Sequence, residues 1–309
     1  MTPRTVEEYP VSDRDGGPYA LTNGPDGALW FTLVHGDAIG RLSPGGRPTL
    51  HPVPPGSAPT VICEGPDQAL WFTQYRSHRI GRITTAGEVT EFAPPTEGCG
   101  PFGIAQGPDG ALWFTETAVD RIGRLATDGT LTEHPLGTTG AFPSAIAAGA
   151  DALWFTVNQA DAIGRIDLDG RITVHDLPTA GAAPVGVAVG PDGSVWWTES
   201  GAGQIGRLSP DGRTTEYPLP DRAARPHAIT TDATGAAWFT EWAGNRVGRI
   251  TADGATAFHR LPTENSEPHG ITTGPDGAVW TALEIGALAR VAGPQEQTLP
   301  ASGTFPSSR

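Results

Sequence analysis

Two histidines and a carboxylate stand at matching places near the C-terminal end of the chain: His227 in RPHAIT, and Glu267 with His269 in EPHGIT. A second carboxylate, Glu284, closes the run VWTALE. Histidine titrates nearest neutrality of the common side chains, so it is the natural candidate for a base that takes a proton from carbon. Two carboxylates brought together could hold a hard divalent cation such as Mg²⁺, which takes few protein oxygens and keeps several waters. Whether these four residues meet depends on the elements that carry them.

Those elements repeat. Trp30, Trp71, Trp113, Trp154, Trp196, Trp238 and Trp280 recur every 41 or 42 residues, each inside an apolar run such as GPDGALWFT. Within a unit the order is a Pro-led apolar stretch (PFGIAQ), a GPDG turn, a second apolar run (ALWFTE), a polar turn, IGRL or IGRI, a DG turn, and a stretch of the type TEYPLP. Asp-Gly between alternating runs signals a hairpin, because glycine accepts the positive φ of a tight turn. No helical period appears. Four short strands per repeat of this length match the blade of a β-propeller. The chain is therefore expected to be all-β, a seven-bladed β-propeller of four-stranded blades forming a single domain over residues 1–309, with the tail from about 301 loose.

Residues 5–10, TVEEYP, read as the outer strand of a blade that lacks its first three, and the seventh blade's first three end near Arg290. The N-terminal strand is expected to close the ring. Residues 296–300, EQTLP, also resemble an outer strand and are expected to pack outside or hang loose.

Seven units allow each residue to be judged against its six counterparts. After the proline that opens each innermost strand stand Tyr19, Thr60, Phe102, Ser144, Val185, His227 and His269; before it stand Gly17, Ala58, Gly100, Phe142, Ala183, Arg225 and Glu267. Small or apolar groups dominate the early and middle blades. Innermost strands line the axis, and blades six, seven and one are neighbours in a closed ring, so His227, Glu267, His269 and Tyr19 should converge on one rim of the channel. The plainer alternative is that they are ordinary rim residues in water. Glu116, Glu199 and Glu241 follow WFT or WWT directly and, being shared by three blades, read as structural. Glu284 is displaced from that place, because blade seven writes WTALE; its alternative is a solvated turn residue. His51, His134, His175 and His259 replace Tyr217 or Phe92 in outer strands and read as aromatic packing, while His35 and His78 lie in turns and are assigned no chemistry.

Composition narrows the field. The formal net charge is −14 and there is no lysine, which excludes Schiff-base and P-loop chemistry and disfavours nucleic acid. The IGR arginines, one per blade, are expected to act structurally between blades. No GxSxG elbow, HExxH motif or cysteine cluster is present. Cys63 and Cys99 are expected to be reduced thiols. No run reaches the roughly 20 apolar residues of a membrane span, and MTPRTVEEYP lacks the apolar stretch of a signal peptide, so no membrane association is expected and the location is expected to be cytoplasmic.

At these residues the chain resembles the virginiamycin B lyases, the streptogramin B lyase family of seven-bladed propellers. GPYALT, the recurrent LWFTE and IGRI elements, RPHAIT, WFTEWAGNRVGR and EPHGIT carry the likeness over nearly the whole chain. The resemblance implies that His269 is the general base, that Glu267 and Glu284 hold Mg²⁺, that His227 contacts substrate, and that Tyr19 lies near the antibiotic. It implies a monomeric, Mg²⁺-dependent lyase that opens a cyclic depsipeptide at its ester bond by elimination and confers antibiotic resistance. A metal-dependent lactonase or esterase, or a non-catalytic binding propeller, are the rival readings on the same fold. TALEIGALAR departs from the family pattern in lacking IGR, which bears on Glu284 more than on either histidine.

Overall fold

A computed structural model describes residues 5–292, so the strand expected at 296–300 and the loose tail expected from 301 lie outside the described residues. Each tryptophan run is the second strand of a four-stranded antiparallel sheet, and seven such sheets form the ring of a β-propeller. Blade one is Pro18–Asn23, Leu29–Leu33, Ala38–Leu42 and Pro48–Pro52; blade six is Pro226–Thr231, Ala237–Glu241, Arg246–Ile250 and Thr256–Arg260. Blade seven combines Pro268–Thr273, Val279–Leu283 and Ala287–Val291 with Val6–Pro10 from the N-terminus, paired in register from Val6 with Val291 to Pro10 with Ala287. The N-terminal strand thus closes the ring.

A local motif holds each blade's tryptophan. In blade one the Asp26 carboxylate of the GPDG turn accepts hydrogen bonds from Trp30 Nε1 (3.0 Å) and Arg41 Nε (2.6 Å), and the Arg41 guanidinium lies 5.9 Å from the indole centroid. The glycine of that turn, Gly27, has φ of +72°, open to glycine and costly for other residues. The same set recurs as Asp67, Trp71 and Arg82, and as Asp276, Trp280 and Arg290. This corrects the expectation for the IGR arginines: they are structural, but their partners belong to their own blade. The outer-strand ring lies against the same indole, with centroids 5.6 Å apart for His51 on Trp30, 5.2 Å for Phe92 on Trp71 and 5.7 Å for His134 on Trp113. The outer histidines therefore do the packing work of Phe and Tyr, as their places in the repeat suggest.

Between blades, the threonine two residues after each tryptophan donates to the carbonyl of the residue after the next blade's opening proline. Thr198 reaches His227 O at 2.7 Å and Thr240 reaches His269 O at 2.9 Å. Blade seven has Ala282 at this place and so lacks the hydroxyl for this bond to blade one. Its inner strand still meets that of blade one closely, since a Cβ on Gly270 would fall 2.7 Å from Ala20 Cα and 2.8 Å from Tyr19 O, as one on Gly103 or Gly186 would against the next blade.

Candidate functional site

All seven residues before the opening prolines have left-handed backbones, from Gly17 (φ +61°) through Phe142 (+55°) and Arg225 (+51°) to Glu267 (+48°). Four of them besides Glu267 carry a side chain there at some cost. Because the conformation is common to every blade, it belongs to the fold and does not by itself mark Glu267 as functional. It does fix where that side chain starts. The loop holding Glu267 is anchored from blade six, since Asn245 Oδ1 accepts from Ser266 N (2.9 Å) and Oγ (2.6 Å).

Glu284 reaches the same rim by a shift of one residue. The residue three after each tryptophan is buried, and so Glu116, Glu199 and Glu241 are all fully buried, as is their blade-seven counterpart Leu283. The residue four after the tryptophan turns its backbone N–H onto the strand-opening loop: Trp242 N donates to Arg225 O (3.1 Å), and Glu284 N to Ser266 O (3.0 Å) and toward Glu267 O (3.4 Å). Strand alternation thus carries the blade-seven carboxylate out of the core and sets it beside Glu267.

There it meets His269, whose Nε2 lies 2.6 Å from Glu284 Oε2. Donor atoms of Glu267, His269 and Glu284 all lie within 4.8 Å of one another, a group able to hold a metal ion. Of these, the two carboxylates are hard oxygen donors that fit a divalent cation bound partly through water. The Glu267 carboxylate makes no hydrogen bond or ion pair with any described residue, so it is open to such a ligand. The hydrogen bond from His269, with His35 assisting, holds the Glu284 carboxyl down at about 2, so it is a carboxylate at any working pH.

The remaining expected residues gather around this group. Ring centroids are 4.6 Å apart for Tyr19 and His269, 5.0 Å for His227 and His269, and 6.1 Å for Tyr19 and His227. His269 is only 8% exposed, which rules out a freely solvated rim residue. Its Nδ1 is covered and without a hydrogen-bond partner, so Nε2 is the nitrogen that looks toward the carboxylates. Burial, with a smaller push from His269, drives His227 down to about 3 and keeps it neutral. Burial, with Glu284 adding to it, raises the Tyr19 phenol and keeps it protonated. Below Tyr19 and His227 the axis opens into an apolar cavity of about 210 Å³ lined by Leu21, Ile62, Phe102, Ile146, Val187 and Ile229 among others. On the same rim Tyr75 and Phe142 are exposed.

One member was not foreseen. His35, read as a turn residue without chemistry, places Nε2 3.1 Å from Glu284 Oε1 across the joint between blades one and seven. The available signal was its place five residues after Trp30, next in the ring to blade seven. His78 also has a definite role, accepting at Nδ1 from Gly100 N (3.1 Å), where Asp37 and Asp120 hold the equivalent loops in other blades. Cys63 and Cys99 are free, and burial pushes both thiols up to about 12.

Comparison with known proteins identifies the family. The family described as the Virginiamycin B lyase family matches the chain over residues 4–291. A solved streptogramin B lyase superposes with a TM-score of 0.90 at 41% identity, covering 94% of this chain and 98% of that one. A catalytically inactive histidine-to-alanine variant of the virginiamycin B lyase from Staphylococcus aureus, solved with quinupristin, superposes with a TM-score of 0.89 at 37% identity, covering 93% and 98%. Virginiamycin B lyase from Streptomyces coelicolor is 64% identical over 50 residues; that match spans 16% of this chain and 17% of the relative's length. Likeness to a gluconolactonase-type propeller at 18% identity shows the fold alone.

Proposed function

We propose, since the chain belongs to the virginiamycin B lyase family, that it inactivates type B streptogramins by Mg²⁺-dependent elimination at the ester bond of the cyclic depsipeptide, and so confers resistance to them. The observation that carries this reading is the joining of His269 Nε2 to Glu284 Oε2 at 2.6 Å, with Glu267 beside them, at the mouth of an apolar axial cavity. A base, two carboxylates able to hold a cation and an apolar approach are what the elimination requires. The quinupristin complex of the Staphylococcus aureus relative supports a substrate of this class.

In this reading His269 is the base that takes the proton α to the threonyl carbonyl. A well-placed histidine base contributes about 10²–10⁴-fold. Glu267 and Glu284 would hold Mg²⁺, which when bound polarises that carbonyl and stabilises the enolate-like charge. Neutral His227 and protonated Tyr19 form an uncharged wall that positions the ring of the substrate beside His269. As the electron pair left by the α-proton forms the Cα=Cβ double bond, the Cβ–O bond breaks and the ester carboxylate leaves, giving a linear peptide with a dehydrobutyrine residue. No bond to the protein forms and no water is consumed.

The test is a mass spectrum of the product from a type B streptogramin in ¹⁸O-labelled water. Elimination predicts a product of unchanged mass without label. A product heavier by one labelled water would assign the site to a hydrolase.

A further inference from the structure

Both oxygens of the Glu284 carboxylate are held by imidazoles: Oε2 by His269 at 2.6 Å and Oε1 by His35 at 3.1 Å. The two histidines come from opposite sides of the ring's closing joint. A glutamate on a turn has several free torsions, and Glu284 is about a third exposed, so a single hydrogen bond leaves it room to rotate away.

The path that brings His35 there is built into blade one. Its backbone N–H donates to Gly16 O at 3.2 Å, and its ring lies against the backbone of Gly17, where an added Cβ would fall 2.5 Å from His35 Cδ2. Five of the other six blades place Ala58, Phe142, Ala183, Arg225 and Glu267 at that position, and blade three has Gly100 there but Ala118 in the place of His35. Glycine at 17 therefore serves two ends: it takes the left-handed backbone of the loop without strain, and it leaves the space through which the imidazole reaches across. At the place of His35 the other blades have Arg76, Ala118, Gln159, Gly201, Ala243 and Ile285, so no other blade has a histidine to do this.

We propose that His35 is a positioning residue: its Nε2–H holds Glu284 Oε1, so that Oε2 stays at His269 and the carboxylate stays beside Glu267 in a geometry ready for a divalent cation. The inference rests on the lyase reading for what Glu284 does, and it acts through Glu284 without touching the reacting atoms. Partners that orient a metal-binding carboxylate are commonly worth 10–100-fold in metal affinity or activity.

The experiment compares the full-length protein with its His35→Ala and His35→Gln variants. Mn²⁺ serves as the probe, its binding followed by electron paramagnetic resonance, alongside turnover of a type B streptogramin across a Mg²⁺ titration. His35→Ala is expected to weaken the Mn²⁺ Kd about tenfold, to raise the Mg²⁺ concentration needed for half-maximal rate, and to leave KM for the peptide unchanged at saturating metal. His35→Gln, which keeps a side-chain N–H donor, is expected to recover most of the affinity. An unchanged Mn²⁺ Kd in His35→Ala, no Mn²⁺ bound by the parent protein, or no recovery in His35→Gln each overturns the proposal. Weakened Mn²⁺ binding in His35→Ala together with no peptide opening by the parent would sink the lyase reading and leave the role of His35 standing.

Discussion

Glu284 differs from the buried glutamates of blades three, five and six by one step along its strand, and that step decides its chemistry. Glu116 and Glu199 face the interior, where burial, before any other influence, pushes them up to about 8 and about 7. Glu284 faces two imidazoles and is held at about 2. The same residue type is thus a buried acid in one place and a permanent anion in the other. The consequence for stability has a definite sign. A carboxyl whose folded value lies above its ordinary 4.5 binds its proton more tightly when folded, so its contribution is complete below pH 4.5 and is lost as pH rises toward 8. Glu116→Gln should therefore melt higher than the parent protein at pH 8.5, with the difference shrinking toward pH 5. A constant difference across a differential scanning fluorimetry series would remove Glu116 from this role. At the rim the expectation concerns rate: His269→Ala should lower turnover by at least 10²-fold with little change in melting temperature, because the ring packs chiefly against Tyr19 and His227 rather than the blade cores. Near-parental turnover would remove His269 from the role of base.

Within each of the first six blades, the glycine of IGR (VGR in blade six) faces an aromatic ring. A Cβ on Gly123 would lie 2.1 Å from Phe114 Cζ, and Gly40, Gly81, Gly164, Gly206 and Gly248 are in the same position against Phe31, Phe72, Phe155, Trp197 and Phe239. Blade seven, which lacks IGR, pairs Ala289 with Thr281 at this register. The smaller residue opposite makes room for the methyl group, and Arg290 keeps its partner Asp276, so the departure in TALEIGALAR leaves the strand pairing intact. Gly123→Ala should cost about 1–3 kcal/mol by overpacking, read as a lower denaturant midpoint at unchanged m. Ala289→Gly should cost only about 0.5–1 kcal/mol, the backbone-freedom cost of glycine in a strand. Equal losses would mean that the aromatic contact is not what selects glycine. This is also where sequence legibility divides. The tryptophan period, the DG turns and the place of the proline made the blades, and the meeting of His227, His269, Glu267 and Tyr19, readable beforehand, because each is a repeat property. His35 was unreadable by the same method: its reach depends on the missing side chain of Gly17 in its own blade and on a carboxylate 249 residues away. The IGR arginines were placed between blades because a period shows recurrence without showing which neighbour a side chain meets.

For the whole ring, closure and the site share one blade. Val6–Pro10 is the outer strand of the blade that supplies Glu267, His269 and Glu284. Two contacts lock it beyond the strand pairing. Tyr9 lies 5.1 Å from the Trp280 ring, and Glu8 accepts from Thr263 N (3.0 Å) and Oγ1 (2.6 Å) on the loop entering blade seven. Thr96 with Glu133 and Thr179 with Glu216 form the same clamp elsewhere, but only the Glu8 clamp joins the first residues of the described chain to the last blade. Glu8→Gln weakens one charge-assisted bond and should cost about 1–2 kcal/mol. Deleting residues 1–10 removes the strand and exposes the unpaired edge of Ala287–Val291, with a greater loss of stability and a tendency to associate through that edge. The loop that Thr263 anchors leads directly to Ser266 and Glu267, so the deletion should also weaken Mn²⁺ binding at temperatures well below unfolding, and Glu8→Gln should do so less. Thermal melts, size-exclusion chromatography and Mn²⁺ titration at 20 °C on the three proteins test the coupling. A deleted protein that remains monodisperse, melts within a degree or two of the parent and binds Mn²⁺ equally well would show that blade seven holds its site without the N-terminal strand.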